Sequence, residues 1–390
     1  MESNILDIQE IGTAIEMPEK QPGSIAVIGV GGGGCNTINY LISHGIHPEV
    51  MLVAANTDAQ HLRHNKALIK LQLGKKTTKG LGAGADPEQG KKAAVESEEE
   101  IRELLAGYDI VFIATGLGGG TGTGAAPVIA RVMREMGSLV ISIATTPFKY
   151  EGKKRAKVAE MGKKELKDQS DCIIIIPNDR ISAKGGIGNR EAMAKVDSVL
   201  SNAVKGLANT ILGGGSVGSL NIDYSDVKNI MGGKGLAVMG MGEAQGGNAA
   251  NEALNNALAS EMMGNINVTN AKGIIVCLEI HPDYSREEID EVLERISEYA
   301  TEDTDYKCGV YGDESFPEDY VRITFIATGF ADEVIESSIA QESVENLKMT
   351  SSAPTPSSLS QSRDIRRASG GDGITEIHYD MPTFIRQGQD

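Results

Sequence analysis

The sequence predicts an α/β fold: an open parallel sheet covered by helices on both faces, joined through a long central helix to a smaller α+β domain. Three observations carry that expectation. Residues 109–113 are a short β-branched run, followed by a glycine loop (GLGGGTGTGA, 116–125) and then by helical spacing of apolar residues over 125–136. Residues 25–55 repeat the scheme as apolar strand, glycine loop, helix and second strand. Finally, Met193, Val196, Leu200, Ala203, Leu207 and Ile211 step by three or four along 189–212, giving one buried stripe on a rod-like helix.

In chain order, residues 1–23 read as a loose acidic extension. Residues 25–28 (IAVI) are a buried strand, 29–36 (GVGGGGCN) a glycine loop that opens a helix through Ile42, and 50–55 a second strand ending in Asn56, Thr57 and Asp58. Nearly continuous apolar strands, continued at 141–144 and 173–176, belong to a parallel sheet buried on both faces. Ligands of such sheets sit at the carboxyl ends of the strands. Glycines let backbone N–H groups converge on an anion, and the helix that follows adds the positive end of its dipole. The loop 116–124 therefore suits phosphate, with Thr121 and Thr123 as hydroxyl donors. It is not a Walker loop, because no lysine follows the glycines. Residues 77–87 form a polar, glycine-containing surface loop. Glu151 and Arg155 are four apart and share a face if helical, and residues 177–180 place a polar cluster at another strand's carboxyl end.

The central helix ends at glycines 213–215, and Asn221, Asp223 and Asp226 follow. Asp223 and Asp226, three apart, can face one side of a helical turn. Helix capping by Asp226 is the plain reading. Yet a helix of this length, rising 1.5 Å per residue, separates them from the glycine loops by roughly 30 Å. They cannot reach an anion held by their own chain's glycine loops, but they reach a neighbour's if copies dock head to tail, a contact that generates an open filament when it does not close. Beyond, strands at 235–240, 272–279 and 321–328 with helices at 249–263 and 285–299 make a second domain without a second catalytic constellation. Residues 332–373, rich in Ser, Pro and Gly towards their end, read as a disordered linker, and 374–390 as a tethered binding peptide whose many copies on one polymer would give avidity.

The chain has 390 residues, a net charge of −17 and a pI near 4.9. That charge argues against nucleic acid as the main ligand and against an unaided hold on anionic lipid. Four scattered cysteines without a CxxC suggest neither a disulfide framework nor a zinc site, and point to a reducing cytoplasm. No secretory signal or membrane-length apolar run is present. Gly29-x-Gly31-x-x-Gly34 with Asp58 also fits a dinucleotide fingerprint, so an NAD-dependent oxidoreductase is an alternative. Against it stand the second glycine loop and the lack of a hydride-transfer constellation.

The run Gly118-Gly119-Gly120-Thr121-Gly122-Thr123-Gly124, with Gly116, Leu117, Ala125, Ala126 and Pro127, resembles the tubulin/FtsZ family of GTPases, on its bacterial cell-division branch. The resemblance covers 24 to about 330 and returns in the last ten or so residues. It implies a tubulin-like, Rossmann-type GTP-binding domain over 24–188, a central helix and its end over 189–215, and a C-terminal domain carrying a catalytic loop over 216–331. GTP or GDP would contact Gly32, Gly33, Gly34, Cys35 and Asn36 in the first loop and Gly118, Gly119, Gly120, Thr121 and Gly122 in the second. Ala83, Gly84 and Ala85 would lie near the terminal phosphate, Glu151 would accept from the ribose hydroxyls, and Arg155 would lie against the nucleotide. Asp197 would read guanine, since one carboxylate accepts from both N1–H and the exocyclic amine, a donor pair that adenine lacks. Asn221, Asp223 and Asp226 would meet the neighbour's terminal phosphate. Mg²⁺ would be held by phosphates and water rather than by a direct ligand from one chain, with a monovalent cation as a further candidate. The chain departs from the family at Met193, where many members carry an aromatic, and at Ser198, where many carry an acid. Asp380, Met381, Pro382, Phe384 and Ile385 resemble the tail that docks on membrane-tethering and regulatory division proteins. The implied protein is a self-assembling GTPase of the mid-cell division ring, beneath the inner membrane; a tubulin-like scaffold that binds GTP without hydrolysing it is the remaining alternative.

Overall fold

The computed structural model describes residues 23–181, 189–212, 220, 222–260, 263 and 266–330. The expected N-terminal extension, linker and C-terminal peptide, with Asp380, Met381, Pro382, Phe384 and Ile385, lie outside the described residues, as does Asn221.

Ten strands form one sheet in the order β3-β2-β1-β4-β5-β6-β7-β10-β8-β9. They are β1 (Ile25–Val30), β2 (Met51–Asn56), β3 (Ile69–Gln72), β4 (Ile110–Gly116), β5 (Leu139–Thr146), β6 (Cys172–Pro177), β7 (Gly235–Gln245), β8 (Gly273–Ile280), β9 (Asp305–Gly312) and β10 (Tyr320–Thr328). Every neighbouring pair is parallel except those of β10, which runs antiparallel to both β7 and β8. Nine strands therefore point the same way. The central strands are apolar at nearly every position and buried throughout, as a sheet covered on both faces requires.

Successive side chains alternate between two cores. On one face Ala26, Ile28, Val111 and Ile113 pack beneath α3 (Pro87–Glu96), α4 (Glu98–Leu105), α5 (Thr121–Glu135), α6 (Lys153–Gln169), α10 (Ala249–Leu258) and α11 (Arg286–Ser297). On the other, Ile25, Val27, Ile110 and Phe112 pack beneath α1 (Gly31–His44), α2 (Ala59–His64), α7 (Asn178–Ile181), α8 (Asn189–Leu212) and α9 (Tyr224–Met231).

Helix α8 spans the residues that periodicity predicts, and Val196, Leu200, Ala203 and Leu207 are buried. Met193 departs from the expected stripe and is 41% exposed, because the buried face runs from Val196 back to Ala192, one residue over. Helix α5 starts at Thr121, four residues earlier than the apolar pattern suggests. Its first turn is built of Thr and Gly, poor helix formers that a periodicity reading skips. Gly124 must lack a side chain there, since a Cβ would fall 1.9 Å from Pro87 O at the start of α3. Helix α10 stops at Leu258, short of the expected 263. Strands β3 and β9 are absent from the sequence reading. Both are edge strands, where one exposed side dilutes the apolar signal.

Candidate nucleotide site and its distant carboxylates

Strand order reverses between β1 and β4, and this switch point is where both glycine loops stand. The loops interlock. A Cβ on Gly34 would fall 2.2 Å from Ala114 O, one on Gly122 2.4 Å from Gly116 O, and one on Gly31, at φ +72°, 2.8 Å from Gly122 N. Backbone thus meets backbone at distances no side chain permits. Helices α1 and α5 begin here with Val30 and Gly120 as caps; neither receives a side-chain cap bond or carries an acid in its first turn. Elsewhere Asp86, Asp223 and Ser285 cap α3, α9 and α11. The two converging helix ends therefore keep their amides and positive dipole ends for an external anion.

The residues expected in the first loop divide into two roles. Gly32, Gly33 and Asn36 are exposed, whereas Gly34 and Cys35 are buried. Burial pushes the Cys35 thiol up to about 12, and its Sγ lies 3.7 Å from the Gly29 and Ala55 carbonyl oxygens. Its side chain serves packing, and as the fifth residue of α1 its N–H falls within the helix's own hydrogen-bond ladder. In the second loop Gly118 adopts φ +92° and its N–H donates to Thr123 Oγ1 at 2.9 Å. Gly119 and Gly120 N–H groups donate to no acceptor among the described residues. Thr121 Oγ1 lies 2.6 Å from Thr57 Oγ1 at the end of β2, a pairing that sequence reasoning missed because the partners are 64 residues apart.

Loop 77–86 leans on the second glycine loop: a Cβ on Gly120 would lie 2.8 Å from Ala83 Cβ and 2.9 Å from Asp86 N. Gly84 and Ala85 both take left-handed dihedrals (φ +58° and +60°), Ala85 at a steric cost. The N–H groups of Ala83, Gly84 and Ala85 find no acceptor among the described residues, while Asp86 N–H closes the turn on Ala83 O at 2.9 Å. Successive unpaired amides in such a turn make an anion-binding concavity. At its other end the loop is tied to Glu96, whose carboxylate accepts from Lys76 N, Thr77 N and Thr77 Oγ1 at 2.6–2.8 Å.

Glu151 and Arg155 do not share one helix. Glu151 closes a 3-10 turn (Lys149–Glu151), Gly152 turns the chain at φ +96°, and Arg155 sits in the first turn of α6. They nonetheless pair, Arg155 Nη1 to Glu151 Oε2 at 2.5 Å, with Arg155 52% exposed. A Cβ on Gly118 would fall 3.0 Å from Arg155 O, which sets this turn beside the second loop. Lys149 N–H donates to Asp179 Oδ1 at 3.2 Å, and no donor reaches the buried Asn178 Oδ1 among the described residues.

Ser201 Oγ joins α8 to α1 through Thr37 O at 3.4 Å and also bonds Asp197 O. Asp197 lies one turn earlier, half-buried, and burial raises its carboxyl to about 6. Ser198 Oγ turns back onto Lys195 O at 2.8 Å. If the ionised Asp197 accepts from guanine, binding must expel a proton at acid pH. GTP affinity is then expected to be level above pH 7 and to fall as pH drops through about 6, by up to tenfold per unit; titration calorimetry at pH 5.5 and 7.5 in buffers of different ionisation enthalpy checks both the loss and the proton release.

Asp223 and Asp226 stand elsewhere. The helix cap is Asp223, not Asp226: Asp223 Oδ1 accepts from Asp226 N at 2.8 Å, and Asp226 Oδ2 faces Asp223 N at 3.4 Å in a reciprocal capping box. Asp226 Oδ1 pairs with Lys307 Nζ of β9 at 2.9 Å. Lys307 lies near the start of β9, while the glycine loops follow the ends of β1 and β4, and these strands point the same way. The carboxylates therefore lie at the opposite end of the parallel strands from the loops, joined by α8, whose 24 residues span about 36 Å. Among the described residues no group of three or more His, Cys, Asp or Glu could hold a metal.

The parallel sheet with two interlocked glycine loops at its switch point, and a rod helix leading to a distant acidic turn, define a nucleotide-binding protein of tubulin-like architecture. Residues 24–185 match the model of the GTPase domain of the tubulin/FtsZ family, and residues 235–331 match the C-terminal domain of the FtsZ family. A cell division protein FtsZ from Helicobacter pylori strain J99 is 42% identical over 378 residues, covering 96% of this chain and 94% of the relative. One from Pseudomonas aeruginosa is 38% identical over 95% of this chain and 98% of its own. The solved FtsZ dimer of M. jannaschii superposes with a TM-score of 0.75 at 39% identity, over 80% of this chain and 89% of that one. The chain belongs to the FtsZ family and carries its GTPase domain. Family membership sets aside the nicotinamide alternative, and Asp58, the expected ribose carboxylate, is spent capping α2 through Gln60 N and His61 N.

Proposed function

We propose that this chain is a cell-division GTPase that polymerises head to tail and hydrolyses GTP at the contact between protomers. The observation that carries the reading is that the glycine loops and the Asp223–Asp226 turn lie at opposite ends of the parallel strands. The glycine loops, the amides of Ala83, Gly84 and Ala85, and the N-terminus of α5 suit the triphosphate. Gly32, Gly33, Asn36, Glu151, Arg155 and Asp197 would complete the nucleotide contacts at the same end. Asn221, Asp223 and Asp226 of one protomer would orient and polarise the water that attacks the terminal phosphorus of the next. The bond to the bridging oxygen breaks, and GDP and phosphate leave. Phosphoryl transfer needs mainly such positioning and charge stabilisation.

The donors around α5 are amides and the hydroxyls of Thr57 and Thr121, so a divalent cation fits here through phosphate oxygens and water. Mg²⁺ so held offsets the charge that develops on the phosphates, and a monovalent cation could add to it. No helix among the described residues is long and apolar enough to cross a membrane. Recruitment to a division ring beneath the inner membrane is assigned to the C-terminal peptide, Asp380, Met381, Pro382, Phe384 and Ile385, through membrane-tethering and regulatory partners. The linker 332–373 would give that peptide its reach.

The test is phosphate release per subunit across a dilution series, with light scattering in parallel. Specific turnover is expected to rise with protein concentration and to vanish where scattering shows no polymer. Undiminished turnover by demonstrable monomers sinks the shared site; polymer without phosphate release favours a non-hydrolysing scaffold.

A further inference from the structure

Edge strand β9 fastens the acidic turn at two points. Val310 N–H donates to Leu220 O at 3.0 Å, just before Asn221, and Lys307 Nζ reaches Asp226 Oδ1 at 2.9 Å. We propose that Lys307 is a positioning residue for GTP hydrolysis, holding the Asp226 carboxylate in the orientation in which it meets the nucleotide of the adjoining protomer. The inference rests on the reading that Asp223 and Asp226 complete a neighbour's site.

The two carboxylates are held unequally. Asp223 is exposed, and its Oδ2 has no partner among the described residues. Asp226 is 19% exposed and engaged at both oxygens, by Lys307 and by Asp223 N–H. The hydrogen bond to Asp226 raises the Lys307 pKa, and the Asp223 charge adds to it, so the ammonium stays protonated throughout the working range. The neighbouring pair, Lys234 Nζ to Asp305 Oδ2 at 3.3 Å, occupies Lys234 and Asp305 with each other and leaves Lys307 to the acidic turn. Docking a pair of carboxylates against a polyphosphate brings like charges together, and Lys307 offsets part of that repulsion where it arises.

A purely structural role predicts little. Lys307 is 49% exposed, and exposed ion pairs contribute weakly to stability. Misplacement of a reacting group by an ångström, in contrast, costs far more in rate.

The experiment compares full-length parent, Lys307→Met, Lys307→Arg, Asp226→Asn and the Asp226→Asn/Lys307→Met double variant, with phosphate release normalised to sedimented protein. Lys307→Met is expected to turn over about tenfold more slowly per sedimented subunit, with the GTP affinity of the dilute protein unchanged. Lys307→Arg should stay within about twofold of the parent, and the double variant should be no slower than Asp226→Asn alone, as for two residues acting as one unit. Parental turnover by Lys307→Met overturns the proposal, as does a further tenfold loss in the double variant. Failure of Lys307→Met to sediment overturns it too, because a positioning residue is not required for the contact. Parental turnover by Asp226→Asn removes instead the shared site on which the inference rests.

Discussion

Asp226→Ala is expected to bind GTP like the parent, to hydrolyse it on the order of a hundredfold more slowly, and to accumulate polymer. Asp223→Ala should behave alike. The prediction separates chemistry from folding because the stability cost is small. Asp223 is an exposed helix cap, whose loss costs about 1 kcal/mol. Removing Asp226 frees Lys307, which is half exposed and regains water, and gives up only the long 3.4 Å bond from the exposed Asp223 N–H. Neither substitution touches the glycine loops at the opposite end of the parallel strands. Nucleotide affinity measured on dilute protein, sedimentation and phosphate release together check the three claims. Loss of GTP binding in either variant would contradict the placement of these residues away from their own chain's nucleotide.

The second large effect is expected at Gly34. In Gly34→Ala the new methyl meets Ala114 O at 2.2 Å and the Gly29 backbone at 2.8–3.0 Å. No rotamer relieves a clash of Cβ with backbone, so α1 must lift off β1 and β4. The expected cost is about 3 kcal/mol, seen as a fall in Tm of roughly 5–10 °C and loss of measurable GTP binding. Gly119→Ala is the control: its Cβ meets nothing within 4 Å, and the protein should melt with the parent. Scanning calorimetry distinguishes them, and equal melting of both would mean that the loops are not interlocked as described.

These outcomes depend on features unequally visible in the sequence. Strands β1, β2, β4, β5 and β6 could be read because burial on both faces makes them almost wholly apolar, and α8 because a single stripe faces the core. The glycine loops could be read because their spacing is itself the chemistry. What escaped was set by tertiary context. Helix α6 buries only Ala159, Gly162 and Leu166 along 17 residues, too faint a stripe to register. The burial of Cys35, the Thr57–Thr121 contact and the Lys307–Asp226 pair join residues 20 to 81 positions apart, and no local pattern announces them. Capping falls to Asp223 rather than the expected Asp226, because which of two aspartates at that spacing precedes the helix is decided by the backbone dihedrals.

With the glycine loops and the acidic turn at opposite ends of the parallel strands, a head-to-tail polymer built on the proposed contact would have two chemically unlike tips. A string of n protomers holds n − 1 finished sites. At the tip that presents glycine loops, the last nucleotide would have no acids above it and would outlive the others. At the far tip, a bare acidic turn waits for an incoming loaded subunit, so polarity, and the age of each bound nucleotide along the string, are written into the protomer before assembly begins.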